Sequence, residues 1–322
     1  MSFSYRTKNE LSRVSTKRRC CMLAELAGII HISGVVEISG RGRYSLKIST
    51  ENASLARRIF VLFKEIYKIN VEILVRKNTR LRKKNSYFLI VPTSNHTKQI
   101  LTDTCSIYRD NNGQIVVNED IDKNLIAKRC CKKAYLRGAF LGGGSMSDPE
   151  KMYHLEFVTH RQGYAKSLCE LLNYFEIHAK IIERKNNYVV YLKEGEHIVN
   201  LLNIMGAHSS LLEFENIRAY KDMRNNINRI VNCETANLTK TINASMRQID
   251  NIEYIKKTLG YDKLPQSLKE IAELRLNYPD ASLKELGQML DPPIGKSGVN
   301  HRLRKLDKLA DDLRQGKIED GL

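Results

Sequence analysis

The feature of this sequence that most constrains its fold is an internal repeat. The segment RRCCMLAELAG at 18–28 returns as KRCCKKAYLRG at 128–138, an offset of 110 residues, and INVEILVRK at 69–77 returns as IHAKIIERK at 177–185, an offset of 108. Two shorter pairs keep the same order: SYFLIV at 86–91 with NYVVYL at 187–192, and HTKQIL at 96–101 with HIVNLL at 197–202. Because such self-similarity marks a structure built from repeated units, the sequence predicts two similar units in tandem.

Both copies share one pattern of apolar residues. A helix is expected to end at a glycine-containing motif, and strand-like runs follow at 44–48 and 153–157. Apolar residues at helical spacing then predict helices over 54–67 and 164–175, and the alternation at 71–75 is typical of a half-buried strand. Each copy therefore reads as helix, two strands, helix, two strands, helix. The expected fold class is α+β, with the two copies of the repeat packed about a pseudo-twofold axis.

Charge indicates the class of partner. The 322 residues carry a net charge of +17, which favours a polyanion, either nucleic acid or an anionic membrane. The segment 1–14 lacks the apolar core of a signal peptide. No stretch approaches the roughly 20 apolar residues of a membrane-spanning helix. We therefore expect a cytoplasmic protein that binds nucleic acid. We expect it to bind neither a membrane nor a small-molecule substrate.

Seven cysteines indicate reduced thiols. Their odd number and the two adjacent pairs argue against a disulfide framework. Neither pair has the C-x-x-C spacing of a zinc site, so we expect thiols packed near helix starts. The cysteines are Cys20, Cys21, Cys105, Cys130, Cys131, Cys169 and Cys233.

Residues 26–34, LAGIIHISG, resemble the LAGLIDADG motif of homing endonucleases. In the second copy the same position reads LRGAFLGGG, 136–144, which matches less well but falls at the register that the repeat dictates. Small residues such as Gly28 and Gly138 are expected to let two helix backbones approach closely. His31, where the motif has an acid, is expected to pack in the interior or to cap the helix instead of binding a metal.

The resemblance also implies a cleavage site that this sequence lacks in its usual form. In the family, the eighth motif residue of each copy is an acid that holds divalent cations, because hard cations need charged oxygen ligands. Here those positions are Ser33 and Gly143. The nearest acids, Glu37 and Asp148, lie several residues past the motif. We therefore expect no catalytic residue, no metal and no cofactor, and an active metal-dependent endonuclease remains the main alternative.

Positive charges cluster near the expected sheet of the first copy. The segment 76–84 carries six positive charges and no acid. Such a run is usually a solvated hairpin tip, but contact with DNA phosphates is an equally open interpretation in a chain of this charge. The candidate phosphate contacts are Arg41, Arg43, Lys47, Arg76, Lys77, Arg80, Arg82, Lys83 and Lys84.

After about residue 209 the strand signals stop. Helices are expected over 216–231 and 235–259, with Gly260 as the stop signal. One apolar stripe on the second of these helices predicts core or an interdomain contact. The stripe comprises Leu238, Ile242, Met246, Ile249, Ile252, Ile255 and Leu259.

The last segment indicates a helix-turn-helix. SLKE at 267–270 and again at 282–285 has the Ser-x-x-Glu pattern of a capping box. The second box would start a helix over 283–290, the prolines of 291–295 would end it, and a third helix would begin at Ser297.

The third helix has the pattern of a recognition helix. Apolar residues at 299, 303, 306 and 310 predict one buried face, while basic and amide side chains cover the other. A helix of this kind enters the major groove of DNA with its N-terminal residues at the base edges. The candidate DNA-binding residues are Ser282, Leu283, Lys284, Lys296, Ser297, Gly298, Val299, Asn300, His301, Arg302, Arg304, Lys305 and Lys308.

Three segments together are similar to the bacterial WhiA family over nearly the whole chain: MSFSYRTKNELSR, the pair RCCMLAELAG and RCCKKAYLRGAFLGGGSMSDPEKMYHLEF, and SLKELGQMLDPPIGKSGVNHRLRKLDKLA. The resemblance implies a degenerate LAGLIDADG-type body followed by an all-α helix-turn-helix domain. The expected parts are a first repeat over 1–125, a second over 126–212, a helical linker over 213–262 and the helix-turn-helix over 263–322.

The resemblance to this family also carries functional expectations. It implies a non-catalytic transcription regulator that binds double-stranded DNA at the nucleoid. The implied roles are in cell division and chromosome segregation, and in some bacteria in sporulation. RNA polymerase or another regulator is a further expected partner. A module that docks on RNA polymerase or a division protein and touches DNA only weakly is the second alternative.

Overall fold

The computed structural model describes residues 2–39, 43–77, 85–92, 95–110 and 114–317. The chain divides into a first unit, Met1–Lys221, and a second unit, Asp222–Leu322. In this described part, no helix is both long enough and apolar enough to cross a membrane.

The first unit contains two copies of one motif. The first copy consists of α2 (Arg19–Ser33), β1 (Gly34–Ser39), β2 (Arg43–Thr50), α3 (Ala53–Tyr67), β3 (Glu72–Lys77), β4 (Asn85–Val91) and α4 (Asn95–Asp103). The second consists of α5 (Arg129–Gly143), β7 (Gly144–Met146), β8 (Leu155–Thr159), α6 (Gln162–Asn173), β9 (Lys180–Arg184), β10 (Asn187–Leu192) and α7 (Gly195–Met205). Helix α1 (Phe3–Leu11) precedes them, and the hairpin of β5 (Ile107–Arg109) and β6 (Ile115–Val117) lies between them.

The strands of the two copies form two similar sheets. Each is antiparallel and four-stranded, with the orders β1-β2-β4-β3 and β7-β8-β10-β9. The matching order confirms the α+β fold and the tandem repeat expected from the sequence. The strand expected at 153–157 begins two residues later, at Leu155. The hairpin of β5 and β6 was not expected, because strands of three residues are too short to show a period.

Helices α2 and α5 pack at the centre of the first unit with almost no side-chain space between them. A β-carbon built on Gly138 would lie 2.0 Å from the backbone oxygen of Glu25, and one on Gly28 would lie 2.4 Å from that of Tyr135. No other residue fits so close a backbone approach. The role expected for these two glycines is therefore confirmed.

A buried charge network holds the same two helices together. The Glu25 side chain on α2 is fully buried, and Arg58 on α3 donates to it from Nε at 2.7 Å. Arg137 on α5 donates to the other carboxylate oxygen from Nη2 at 2.9 Å. Arg137 also donates to the backbone oxygen of Met205 at 3.1 Å. Glu25 therefore compensates two buried or nearly buried guanidinium groups that come from both repeats.

Helix α8 (His208–Thr258) is a single element of 51 residues. The two helices expected over 216–231 and 235–259 were wrong, because 232–234 contains neither proline nor glycine. Residues of lower helix propensity cost only tenths of a kcal/mol each, which is too little to end a helix.

The apolar stripe expected on this helix is only partly core. Ile252, Ile255 and Leu259 are buried in the second unit, whereas Leu238 is 61% exposed and Met246 is 60% exposed. The expectation of one continuous buried stripe was therefore wrong for its N-terminal half. Burial begins only where α8 reaches the helices that follow it.

The second unit continues with α9 (Gln266–Asn277), α10 (Leu283–Gln288) and α11 (Lys296–Arg314). The capping box at the start of α10 is confirmed: Ser282 Oγ accepts from the Glu285 backbone N–H at 3.3 Å, and Glu285 accepts from that of Ser282 at 2.7 Å. The box expected at Ser267 was wrong, because α9 begins earlier, with Pro265 as its N-cap. Helix α10 also ends two residues sooner than expected.

Candidate nucleic-acid interface

Helix α11 has a buried face and an exposed face on opposite sides. The buried residues are Val299, Leu303, Leu306 and Ala310, each at most 1% exposed. A helix turns by about 100° per residue, so the positions two residues before each of these lie on the opposite side. Those positions are Ser297, His301, Arg304 and Lys308, and all four are exposed. The predicted apolar face is confirmed, and the opposite polar face is exposed.

The turn before α11 is fixed by close backbone contacts. A β-carbon on Gly287 would lie 2.2 Å from the backbone oxygen of Ile294, whose N–H donates to the Gly287 oxygen at 3.0 Å. Upstream, Nη1 of the buried Arg275 donates to the oxygens of Pro279 at 3.1 Å and Ala281 at 2.8 Å. These contacts hold α9, α10 and α11 in one arrangement and orient the exposed face of α11.

The candidate residues of the helix-turn-helix divide by exposure. Val299 belongs to the core, so it supports the helix and does not reach outward. Arg302 is half-buried, and its Nη1 donates to the backbone oxygen of Ser267 at 3.4 Å. Leu283, Gly298 and Asn300 are also half-buried. The exposed members are Ser282, Lys284, Lys296, Ser297, His301, Arg304, Lys305 and Lys308.

The first sheet brings two of the candidate phosphate contacts to one face. Lys47 on β2 pairs with Ile90 on β4, and Arg76 on β3 pairs with Ser86 on the same strand. Because side chains alternate along a strand, both lie on the face opposite the buried Leu89. The Lys47 ammonium lies 4.9 Å from the centre of the Phe88 ring, which shares this face.

The remaining candidates of this group are placed differently. Lys77 pairs with Asn85 and therefore lies on the other face of the sheet. Arg43 is the first residue of β2. Arg41, Arg80, Arg82, Lys83 and Lys84 lie outside the described residues.

The second sheet carries basic residues that the sequence analysis missed. Lys180 pairs with Tyr191 and Arg184 pairs with Asn187, so both lie on the face opposite the buried Val190. Both side chains are exposed. The repeat itself held the signal, since the offset of 108 aligns Arg184 with Arg76. Each sheet therefore has an arginine at the same position of its outer face.

The ends of the two motif helices carry no charged oxygen ligand. Ser33 turns back on its own helix and donates from Oγ to the Ile29 oxygen at 2.7 Å. A β-carbon on Gly143 would lie 2.8 Å from Ile32 Cγ1, so this position is filled by an apolar neighbour. Glu37 accepts from Ser45 Oγ at 3.2 Å, and Asp148 accepts from the Glu150 backbone. Among the described residues, three potential metal ligands do come close together, but they are cysteines at the other end of the motif helices.

His31, which replaces one acid of the motif, is part of the core. Its Nε2 lies 2.8 Å from the backbone oxygen of Thr104, which can only accept, so Nε2 carries the proton. Its Nδ1 therefore accepts from the Tyr135 hydroxyl at 2.7 Å. Burial, aided by the charge of Arg161, lowers the pKa of His31 to about 4. The packing role expected for His31 fits this neutral ring, which makes a hydrogen bond at each of its two nitrogens.

Acid should destabilise the first unit through this histidine. Since the pKa falls from 6.5 unfolded to about 4 folded, the unfolded state binds the proton first as the pH drops through this window. We expect the free energy of unfolding to be about 2 kcal/mol lower at pH 5 than at pH 7 from this group alone. Urea titration of wild type and His31→Gln measures it. The variant should lose this part of the pH dependence, and the exposed His208→Gln should keep it; an unchanged slope in His31→Gln would contradict the assignment.

Comparison with known proteins identifies the family. Three family models match: the WhiA N-terminal LAGLIDADG-like domain over 19–107, the WhiA LAGLIDADG-like domain over 132–224 and the WhiA C-terminal HTH domain over 227–310. A probable cell division protein WhiA of Alkaliphilus metalliredigens is 55% identical over 99% of this chain and 100% of its own. That of Thermoanaerobacter pseudethanolicus is 56% identical with the same coverage.

A solved structure agrees with these matches. Full-length DUF199/WhiA from Thermatoga maritima superimposes with a TM-score of 0.59 at 29% identity, covering 97% of this chain and 98% of that one. The matches to the three family models and to both relatives extend over both units. The chain therefore belongs to the WhiA family.

Proposed function

We propose that this protein is a DNA-binding regulator that does not cleave DNA. The observation that carries the proposal is α11, whose exposed face presents His301, Arg304 and Lys308 directly opposite its buried face. Basic side chains on a rigid helix after a fixed turn are suited to the major groove. The family model for a C-terminal HTH domain over 227–310 supports this interpretation.

The first unit would hold the DNA backbone without choosing a sequence. Lys47, Arg76, Lys180 and Arg184 on the outer sheet faces have the charge for phosphate contacts, and all but the half-buried Lys47 are exposed. Such contacts position a protein on DNA but carry no base information. The proposed division of labour is that 1–125 and 126–212 contact phosphates and 263–322 reads bases. The segment 213–262 would connect these parts.

The biological role follows from the relatives. Those described above are named probable cell division proteins, and we propose a role in cell division for this chain. The resemblance to the family adds control of transcription at the nucleoid, with chromosome segregation and, in some bacteria, sporulation as outcomes. Duplex DNA is the proposed partner, and RNA polymerase is a second one.

Incubation with supercoiled plasmid and Mg²⁺ tests the proposal against its two alternatives. We expect full-length protein to retard the plasmid in a gel, and the plasmid to run as intact supercoiled DNA once the protein is removed. This result follows because Ser33 and Gly143 offer no carboxylate to hold a cation. Glu37→Gln and Asp148→Asn should behave as wild type.

Two other outcomes would contradict the proposal. Nicked or linear plasmid that disappears in either variant would show an endonuclease. Absence of any retardation, at low as well as moderate salt, would favour a module that docks on a protein and touches DNA only weakly.

A further inference from the structure

The structure brings two cysteine pairs together that are far apart in the sequence. Cys20 and Cys21 lie in the first turn of α2, and Cys130 and Cys131 lie in the first turn of α5. The Sγ atoms of Cys20, Cys21 and Cys131 all lie within 4.8 Å of one another. The spacing within each pair gave no sign of this cluster, because its members come from opposite repeats.

The fourth thiol lies beside this cluster. Cys130 precedes Cys131 in the first turn of α5, and its Sγ lies 4.0 Å from Nη1 of Arg18, the N-cap residue of α2. Both the three-thiol cluster and this contact therefore cross from one repeat to the other. Cys21 and Cys131 are buried, Cys130 is half-buried and Cys20 is exposed. Three thiols thus lie together at the N-terminal ends of the two central helices, with Cys130 next to them and with Cys20 on the exposed side.

The distances suit a tetrahedral thiolate site. Zinc binds thiolates at about 2.3 Å, which places sulfur atoms roughly 3.8 Å apart in a tetrahedron. The three sulfur atoms of Cys20, Cys21 and Cys131, which lie within 4.8 Å of one another, would reach that spacing by small rotations about the Cα–Cβ bonds. Soft thiolate ligands select zinc and other thiophilic cations over Mg²⁺ or Ca²⁺.

The surroundings also suit a negatively charged metal centre. Four thiolates around one divalent cation carry a net charge of −2. Arg18 and Arg19 directly precede the first cysteine pair, and Lys128 and Arg129 directly precede the second. The guanidinium Nη1 of Arg18 lies 4.0 Å from Cys130 Sγ. The N-terminal ends of α2 and α5 add their partial positive charges.

We propose that Cys20, Cys21, Cys130 and Cys131 together bind one thiophilic divalent cation of the zinc class, which joins the two repeats at the start of their central helices. Binding forms four metal–sulfur bonds and releases the thiol protons to solvent, with no electron transferred. The site lies at the opposite end of α2 and α5 from Ser33 and Gly143, so its role is structural and not hydrolytic.

Zinc content of the full-length protein tests the proposal. Protein kept reduced with a phosphine is loaded with Zn²⁺ alone, dialysed and measured by mass spectrometry of the metal. We expect about one zinc per chain in wild type and in Cys169→Ser/Cys233→Ser, which removes two thiols elsewhere. Cys20→Ser/Cys131→Ser should retain less than a tenth of that. Co²⁺ in place of Zn²⁺ should give thiolate charge-transfer bands and tetrahedral d–d bands in wild type and in this control, but not in Cys20→Ser/Cys131→Ser.

A second variant keeps the test independent of folding. Cys20→Ser/Cys130→Ser leaves both buried thiols in place and should lose zinc equally, with circular dichroism unchanged. Equal zinc in the cluster variants and the control would overturn the proposal. Reduced wild type that takes up no zinc would also overturn it. This holds even if protein purified without reductant proves to contain a Cys20–Cys131 disulfide.

Discussion

Replacing Glu25 by alanine is expected to lower the free energy of unfolding of the first unit by about 3–5 kcal/mol. The carboxylate is fully buried and accepts from Arg58 and Arg137, which are 11% and 8% exposed. Without it, two guanidinium groups remain in the interior with no compensating charge. Removing one partner of a buried pair costs more than the pair contributes, because the remaining charge has no water to solvate it.

Urea unfolding followed by circular dichroism measures this effect. Glu25→Gln keeps the shape and removes the charge, so it should fall between wild type and Glu25→Ala. Glu150→Ala is the control, since Glu150 is exposed, and it should change stability by less than about 0.5 kcal/mol. A loss below about 1 kcal/mol in Glu25→Ala would show that the network does not hold the two repeats together.

Much of the fold could be predicted because the relevant signals are local or repeated. The offset of 110 predicted that α2 and α5 are equivalent helices of the two repeats. The glycines at 28 and 138 indicated where the backbones of these helices approach each other. The spacing of Val299 through Ala310 predicted the core of the helix-turn-helix because helical periodicity is a property of the segment alone.

The parts that could not be predicted depend on partners distant in sequence. Nothing near Glu25 indicates that Arg137 lies beside it, and nothing near Cys20 indicates Cys131. The predicted helix boundaries were wrong where two starting points differ little in free energy: Ser267 offers a good cap, but α9 gains two residues by starting at Gln266, after Pro265. The N-terminal half of the stripe on α8 shows that an apolar pattern predicts a face without predicting what covers it.

The candidate site divides in the same way. Sequence spacing predicted that residues such as Arg304 and Lys308 share one helix face, and the structure exposes both. Sequence spacing did not distinguish Lys47 and Arg76, which lie on the outer face of the first sheet, from Lys77, which lies on its other face. That distinction requires strand register, which pairing with β4 determines.

The second large effect is expected on DNA binding. Arg304 and Lys308 are exposed and lie opposite the buried residues of α11, so their removal leaves the helix core intact. If they contact DNA, each alanine substitution should cost about 1–3 kcal/mol. The double variant should then bind at least about 30-fold more weakly than wild type, with an unchanged melting temperature. Arg302→Ala is a poorer probe, because Arg302 also contacts Ser267.

Fluorescence anisotropy with duplex DNA enriched from random sequence by the wild-type protein is the most direct measurement of this recognition. Lys257→Ala/Lys317→Ala is the matched control, since it removes two exposed positive charges from the same unit. We predict that Arg304→Ala/Lys308→Ala loses at least about 30-fold in affinity while the control loses less than about threefold, as expected for loss of net charge alone. Equal affinity losses in the two double variants, or none in either, would show that α11 does not recognise DNA.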